Sequence, residues 1–286
     1  MNTGYRANFR QNWQSMSLRF KIGLAIIIVF FIIGFVVYAF SPGDVMALSK
    51  YKKNQPPSST HLLGVNKQGQ DIFWLLVESI HNSMLVGIFV AFAATVIGVL
   101  VGLFAGFVGG IVDKIILFIC DSIVVIPSLP ILILVGSLLR GRASLFLISV
   151  ILVLFHWPWP ARQARSMALS IREREFINTA RFSGESTLKI IRVEILPHVL
   201  SWAMANFVNT ILVAIGAEAS LAVLGLSSTT TPTLGNMIYW ARAYQAIMLK
   251  QWIWIGSPVV ATSIMFIGLF LTYTGYNEFV AKKRGR

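Results

Sequence analysis

The sequence predicts an all-α integral membrane protein with six transmembrane helices. Hydrophobic residues make up 56% of the 286 residues, charged residues only 12%, and the mean hydropathy is +0.73. Soluble domains carry about a quarter charged residues. Long uncharged runs indicate helices, because a segment in lipid must satisfy its own backbone hydrogen bonds. Strand-like alternation in units of about ten residues is absent, which argues against a barrel.

The basic residues predict the orientation of these helices. The formal net charge is +13, and sixteen of the 24 basic residues fall in segments predicted to lie inside the cell. By the positive-inside rule, this bias places both termini in the cytoplasm. In a soluble protein such a charge would suggest nucleic acid. Here the charges lie between apolar runs, so no nucleic-acid partner is expected.

The first helix is predicted from an uncharged run near the start of the chain. Residues 1–21 are basic and are expected to be cytoplasmic, and residues 22–40 carry no charge. That run is long enough for a hydrocarbon layer of about 30 Å at ~1.5 Å per residue. It is too long for a typical signal peptide and no clear A-x-A site follows, so we interpret it as a retained helix. Residues 41–80 are predicted to be extracytoplasmic.

Five further helices are predicted to form a core domain, residues 81–276. Two polar connections stand out: residues 162–198, predicted inside, and residues 227–251, predicted outside. A basic tail, residues 277–286, is expected to be cytoplasmic. The predicted helices are 83–107, 115–139, 145–160, 199–226 and 252–276.

Two of these helices carry features that predict their packing. Gly98, Gly102 and Gly106 follow one another at spacings of four residues, and small residues in this pattern let helices approach closely in lipid. Pro127 and Pro130 lie in the middle of the third helix. They remove helical hydrogen bonds, so a kink or break is expected there.

Two carboxylates, Asp121 and Glu218, fall inside apolar helices. A charge in lipid is costly, which makes each a candidate functional residue. For Asp121 we favour a structural role, as an acid paired with an arginine near the inner surface. For Glu218 the residues leave both roles open. Together with His156 these residues lie on different helices without a nucleophile or a metal-ligand spacing, so no catalytic or metal site is predicted.

A patterned polar stretch, residues 175–197, lies between two apolar blocks and reads EFINTARFSGESTLKIIRVEILP. It predicts two short helices around Gly184, which tolerates the left-handed conformation that ends a helix. Ser186 is placed to cap the second helix, and Pro197 suits the first turn of the next membrane helix. The residues alone leave open a protein-docking surface or a loop held at the membrane surface by arginines.

This stretch resembles the EAA motif, the signature loop of ABC-importer permeases. Thr179 stands where the family usually has alanine, and Phe182 and Ser183 replace a smaller apolar pair. The matching positions are Glu175, Ala180, Arg181, Gly184, Ile190, Ile191, Leu196 and Pro197. The resemblance implies that Glu175, Thr179, Ala180, Arg181, Gly184, Leu196 and Pro197 couple the chain to an ATPase.

Other stretches resemble the peptide and nickel importer branch. The stretch from His61 to Ile72 is similar to a box that precedes the second helix, with Val65 and Asn66 in place of Thr-Asp and Gln70 in place of Arg. Residues 157–162, 218–226 and 231–237 match further family segments. The resemblance makes six residues candidates for docking a binding protein: His61, Gly64, Gly69, Asp71, Gly235 and Asn236.

The resemblance implies a type I ABC-importer permease fold with a cytoplasmic coupling helix, in the second permease type of the dipeptide/oligopeptide/nickel importers. The implied function is half of the translocation pathway for peptides in a prokaryotic inner membrane. Oligosaccharide or nickel/metallophore cargo is an alternative, and an ATP-independent channel or secondary carrier a remote one. The implied partners are a second permease, two ABC ATPase subunits and an extracytoplasmic solute-binding protein. No phosphate-binding GxxxxGK[ST] loop is present, so no cofactor is expected on this chain, with ATP and Mg on the ATPase subunits.

Overall fold

The computed structural model describes residues 15–139, 144–228 and 230–284. Arg140 and Arg142, which we place in an external turn, lie outside the described residues. Among the described residues the structure is helical, with one isolated antiparallel bridge between Val65 and Asp71. The helices are α1 (Leu18–Phe31), α2 (Ile72–Val108), α3 (Gly110–Val125), α4 (Ser128–Leu139), α5 (Leu145–His156), α6 (Pro158–Ile171), α7 (Glu175–Phe182), α8 (Thr187–Ile190), α9 (Leu196–Val223), α10 (Leu234–Ala243) and α11 (Trp252–Arg284).

Among the described residues, five helical segments are long and apolar enough to cross a membrane. They are Leu18–Phe40, Ile72–Val108, Leu145–Ile171, Thr187–Val223 and Trp252–Lys282. Helices α3 and α4 meet the same criteria together, as one span broken by a bend of 69° or as a re-entrant loop, so the structure has five or six candidate spans among the described residues. The predicted all-α membrane fold is confirmed, and so is the break at Pro127, which separates α3 from α4. The placement of both termini in the cytoplasm stays a prediction.

Helix α2 begins at Ile72 and not at residue 83, so the non-helical stretch before it is shorter than predicted. Asp71 caps it, because its carboxylate accepts hydrogen bonds from the backbone amides of Phe73 (2.8 Å) and Trp74 (3.3 Å). Polar residues in its first three turns hid this start, and two of them, His81 and Asn82, have protein partners. The His81 ring contacts the carbonyl oxygen of Gly34 at 2.7 Å.

Three other boundaries also differ from the prediction. Helix α3 begins at Gly110, not at residue 115. The fourth span continues through α6 to Ile171, because Pro158 and Pro160 occupy its first turn, where a missing N–H costs nothing. The connection after it therefore starts ten residues later than the predicted residue 162. The last helix runs to Arg284 and includes most of the predicted tail.

The segment predicted as an external loop, residues 227–251, contains the short helix α10. Thr233 caps this helix, since its hydroxyl accepts a hydrogen bond from the Asn236 amide at 3.2 Å. Met237 and Ala241 of α10 are buried against Ile72 and Trp254. The connection therefore forms a folded layer over the ends of α2 and α11.

Close packing of α2 against α6 forms the centre of the fold. At Gly102 an added Cβ would overlap the carbonyl oxygen of Ala161, and at Gly106 it would lie 2.6 Å from the Arg165 carbonyl oxygen. The expected tight packing of this glycine row is confirmed. Around it lies a buried cluster of Val99, Leu103, Phe107, Ala164, Ala168, Ile177, Ile190, Ile191, Ile195, Val199 and Ala203. We call it the inner cluster.

We expect Gly102→Ala to destabilise the protein strongly, because the new methyl group has no space against the α6 backbone. Overpacking of this kind costs about 1–3 kcal/mol. The matched control is Gly256→Ala in α11, where an added Cβ meets no atom within 4 Å. The melting temperature of the purified protein in detergent should fall for Gly102→Ala and stay unchanged for Gly256→Ala. Equal melting temperatures would contradict the packing described here.

Candidate functional site

Residues 175–197, the candidate coupling segment, form a helix, a tight turn and a second helix. Helix α7 ends at Phe182. Two residues later Gly184 has a φ of +76°, the left-handed conformation that we predicted. The Gly184 amide donates to the Arg181 carbonyl (3.0 Å) and the Glu185 amide to the Ala180 carbonyl (3.2 Å). These two bonds are the Schellman pattern, which satisfies the carbonyl groups at a helix end.

The second half of the segment is continuous with the next membrane span. Ser186 lies at the N-cap of α8, as predicted, but its side chain makes no capping hydrogen bond. From α8 the chain passes through a π-helical turn, Ile191–Ile195, directly into α9. Pro197 lies in the first turn of α9, as its chemistry predicts. The second half of the coupling segment, from Thr187, and the span to Val223 therefore form one helical rod.

The coupling segment has a buried face and an exposed face. Ile177 of α7 and Ile190 of α8 are almost fully buried in the inner cluster, beside residues of α2 and α6. On the opposite face Phe182 is 92% exposed and Leu188 is 71% exposed. Single exposed apolar residues are ordinary, but a fully exposed phenylalanine beside a tight turn is a suitable anchor for another protein.

The predicted coupling residues lie on or near the exposed face. Glu175, Thr179, Arg181, Gly184 and Pro197 are exposed, whereas Ala180 and Leu196 are half-buried. The Arg181 guanidinium lies over the Phe107 ring of α2, 4.9 Å from its centroid. The Lys189 ammonium bonds to the Glu185 carboxylate, four residues earlier, at 2.8 Å.

Two arginines of α6 and Arg172, the residue that follows it, connect α6 to α2 and α3. Arg165 makes a two-pronged ion pair with Asp113 of α3, with N–O distances of 2.5 and 2.6 Å. Arg162 pairs with Asp121 at 3.2 Å, which is the structural role favoured for Asp121 from the sequence. Arg172 donates to the Gly106 carbonyl of α2 at 3.1 Å. These contacts connect α2, α3 and α6, and the coupling segment packs against α2 and α6.

The other candidate carboxylate, Glu218, is 1% exposed near the end of α9. Its Oε1 accepts hydrogen bonds from the hydroxyls of Ser227 and Thr233, both at 3.0 Å. Its Oε2 has no protein partner among the described residues. Glu218 thus fixes both ends of the stretch 227–233, and neither serine nor threonine spacing in the sequence signals this contact.

The predicted docking residues build the shape of the external face. His61 Nδ1 lies 2.6 Å from Asp71 Oδ2. Gly64 and Gly69 have φ of +80° and are buried, and a Cβ at either would crowd the neighbouring backbone of the segment 49–57. These positions maintain a folded platform, residues 41–71, so a soluble partner would meet their exposed neighbours.

Gly235 and Asn236, the remaining two candidates, are buried at the start of α10. A Cβ at Gly235 would lie 2.7 Å from the Cα of Ala219 in α9. The Asn236 side-chain amide donates to the carbonyl groups of Ser228 and Thr231. Both residues therefore stabilise the loop 227–233, to which Glu218 is also hydrogen-bonded.

Comparison with known proteins identifies the family. A family model described as the binding-protein-dependent transport system inner membrane component matches residues 98–286. This chain belongs to that family. The matched region contains the coupling segment, the α2–α6 contact and Glu218, and the description agrees with the predicted multi-pass inner-membrane location.

Curated relatives in this family carry peptide names. The oligopeptide transport system permease protein OppC of Mycobacterium tuberculosis (strain ATCC 25618 / H37Rv) is 32% identical over 185 residues. That match covers 64% of this chain and 64% of the relative, so it spans less than two thirds of the relative's length. The glutathione transport system permease protein GsiD of Escherichia coli O6:K15:H31 is 30% identical over 276 residues, 95% of this chain and 87% of the relative.

A solved structure shows the same fold. A chain from the inward-facing MetNI methionine ABC transporter superposes with a TM-score of 0.52 at 21% identity. The match covers 71% of this chain and 97% of that chain. The type I importer permease fold expected from the EAA motif is confirmed.

We expect Glu218→Leu to loosen residues 227–236, because two buried hydroxyls lose their acceptor at a cost of about 1 kcal/mol or more each. Glu218→Gln keeps a carbonyl oxygen for them and should preserve the loop. Hydrogen–deuterium exchange of residues 227–236, followed by mass spectrometry, measures the difference. Ser220→Ala is the control, since Ser220 bonds only within its own helix. Unchanged exchange in Glu218→Leu would show that the carboxylate does not hold this loop.

Proposed function

We propose that this chain is a permease subunit of an ATP-binding-cassette importer and forms half of the pathway for peptides. The single observation that carries the proposal is the two-faced coupling segment. One face is buried with α2 and α6, and the other presents Phe182 and Leu188 to a partner. A loop that only lay on the membrane surface would have no need for a buried anchor such as Ile177.

The proposed partners follow from this arrangement and from the family. Two ABC ATPase subunits would bind ATP and Mg and receive the coupling segments, while this chain itself is not catalytic. A second permease would complete the pore, and a solute-binding protein would deliver cargo from outside. Peptide cargo is supported by the names of the relatives, which are oligopeptide, dipeptide and glutathione permeases.

A movement of the coupling segment can reach the membrane helices through two connections. Through Ile177, a movement of α7 is transmitted to α2 and α6, because all three share the inner cluster. Through α8, it is transmitted along the rod Thr187–Val223, whose 37 residues span about 55 Å. The far end of that rod carries Glu218 and, through it, the stretch 227–233.

The energy for this movement comes from nucleotide binding at the ATPase subunits. A ligand shifts a conformational equilibrium only by its difference in affinity for the two states. ATP must therefore bind the closed ATPase dimer more tightly than the open one. The role of this chain is to transmit closure of the ATPase dimer to the membrane helices. The buried face of the coupling segment makes that connection, because it packs against α2 and α6.

We expect Gly184→Trp to abolish the stimulation of ATP hydrolysis by a peptide-loaded binding protein. Within this chain an added Cβ at Gly184 meets no atom within 4 Å, so a bulky side chain there obstructs a docked partner. The backbone strain of a non-glycine residue at positive φ is matched in the control variant described below. Gly184→Asn should retain most of the stimulation, because asparagine tolerates positive φ. The assay is ATPase activity of the complex in lipid nanodiscs, with this chain co-expressed with its neighbouring genes.

Gly110→Trp is the matched control for this experiment. Gly110 also has a positive φ, +62°, and open space around its Cβ position, but it lies outside the coupling segment. Full stimulation in Gly184→Trp, or transport by this chain without an ATPase, would contradict the proposed function.

A further inference from the structure

The segments predicted to face outward carry more positive charge than the positive-inside rule leads one to expect. Residues 41–80 and 227–251 contain three acidic residues, Asp44, Asp71 and Glu78. Asp71 is held by His61, and Asp44 caps the amide of Met46. The same segments contain six basic residues: Lys50, Lys52, Lys53, Lys67, Arg242 and Lys250.

Three of these lysines project from a rigid support. Backbone hydrogen bonds from Ser49 to Gln68 (2.7 Å) and from Tyr51 to Gly69 (3.0 Å) pair two stretches of the 41–71 platform. This pairing brings the exposed Lys52 and Lys53 close in the fold to the exposed Lys67. In the described part of the chain, none of the three has a carboxylate within ion-pair distance. Their charge is therefore available to another molecule.

Lys50 differs from its neighbours because its ammonium is used inside the platform. It lies 3.4 Å from the carbonyl oxygen of Pro42 and 3.3 Å from that of Asp44. Lys50 therefore has a structural role, whereas the ammonium groups of Lys52, Lys53 and Lys67 have no ion-pair partner among the described residues.

A cleft of about 410 Å³ begins at Asn54, the residue that follows Lys53 in the chain, and Lys250 is one of its lining residues. One wall is the platform stretch 54–57, with Pro56 and Pro57, and the other is the stretch 249–254, with Lys250 at its edge. The Gln251 side-chain amide donates to the Asn54 side chain and joins the two walls. Trp254, which is fully buried, supports the floor. The cleft is therefore preformed, with a largely apolar lining and with Lys250 at its edge.

An apolar centre with a charged rim is the usual anatomy of a protein-binding surface. The rim charges steer the partner and set its register, while the centre accepts an apolar anchor. A layer of lipid headgroups has no protruding side chain to fill a walled cleft of this size. The family is also one of binding-protein-dependent transport systems, which supplies a soluble partner on this face.

We propose that the cleft and the free lysines Lys52, Lys53 and Lys67, with Lys250, are the docking surface for the solute-binding protein. The partner then carries an apolar side chain that enters the cleft and carboxylates that face the lysines. This inference rests on the proposed function, because it assumes an importer fed by a soluble binding protein. It also assigns the six predicted docking residues a supporting role beneath the contact surface.

The test uses the assembled complex in nanodiscs and the binding protein that stimulates it. Lys53→Glu and Lys67→Glu should each raise the half-saturating concentration of binding protein by roughly fivefold at low salt. The effect should shrink at high salt, because ions screen exposed charges. Leu249→Trp, which fills the cleft, should raise that concentration at all salt concentrations. The ATPase rate without binding protein should stay at the wild-type value.

Lys282→Glu is the control, with the same change of charge at the opposite end of the chain. Unchanged half-saturation in the lysine and Leu249 variants, with stimulation intact, would overturn the docking surface and leave the proposed function standing. An effect that appears only in nanodiscs with anionic lipid would assign the lysines to the headgroups instead. Failure of the variants to assemble with the second permease would assign the surface to that subunit.

Discussion

The contact between α2 and α6 is the constraint on which the rest of the structure depends. Lipid provides no hydrophobic drive for helices to associate, so close backbone approach has to supply the stabilisation. Gly98, Gly102 and Gly106 allow that approach along α2, and Ala161 and the residues after it meet them from α6. Because the two helices lie so close, the larger residues on either side of the glycine row pack against each other and form the inner cluster.

This contact also determines where the coupling segment lies. Ile177, Ile190 and Ile191 complete the inner cluster, which fixes α7 and α8 against the α2–α6 pair. The ion pair between Arg165 and Asp113 then adds α3 to the same frame. The basic character of this part of the chain is thus only partly a matter of membrane topology. Several of its arginines join helices that the glycine row brings together.

The features that the sequence predicted are those set by local backbone chemistry. The left-handed turn at Gly184, the break at Pro127 and the place of Pro197 in the first turn of α9 each depend on one residue and its immediate neighbours. The fold family was likewise accessible because the coupling segment is a continuous motif. The ion pair of Asp121 with an arginine was predictable because an isolated charge near lipid is costly.

Other features could not be read from the sequence, for two physical reasons. Hydropathy identifies only the apolar part of a helix. The polar ends of two helices, α6 up to Ile171 and α11 up to Arg284, were therefore not predicted to be helical. Contacts between distant residues leave no local signal. The pair Asp113–Arg165 is separated by 52 positions. Glu218 lies 9 and 15 positions before its partners Ser227 and Thr233, and no helix or strand spacing links the three residues.

The central claim is that a buried anchor transmits movement from the coupling segment to the membrane helices. Ile177→Ala tests it most directly, because Ile177 is fully buried in the inner cluster while the exposed face stays intact. In the assembled complex, binding-protein stimulation of ATP hydrolysis and peptide uptake would be measured together. The account predicts that hydrolysis continues while uptake per ATP falls, since α7 still docks but no longer moves α2 and α6. Unchanged uptake per ATP in a folded, assembled Ile177→Ala complex would contradict it.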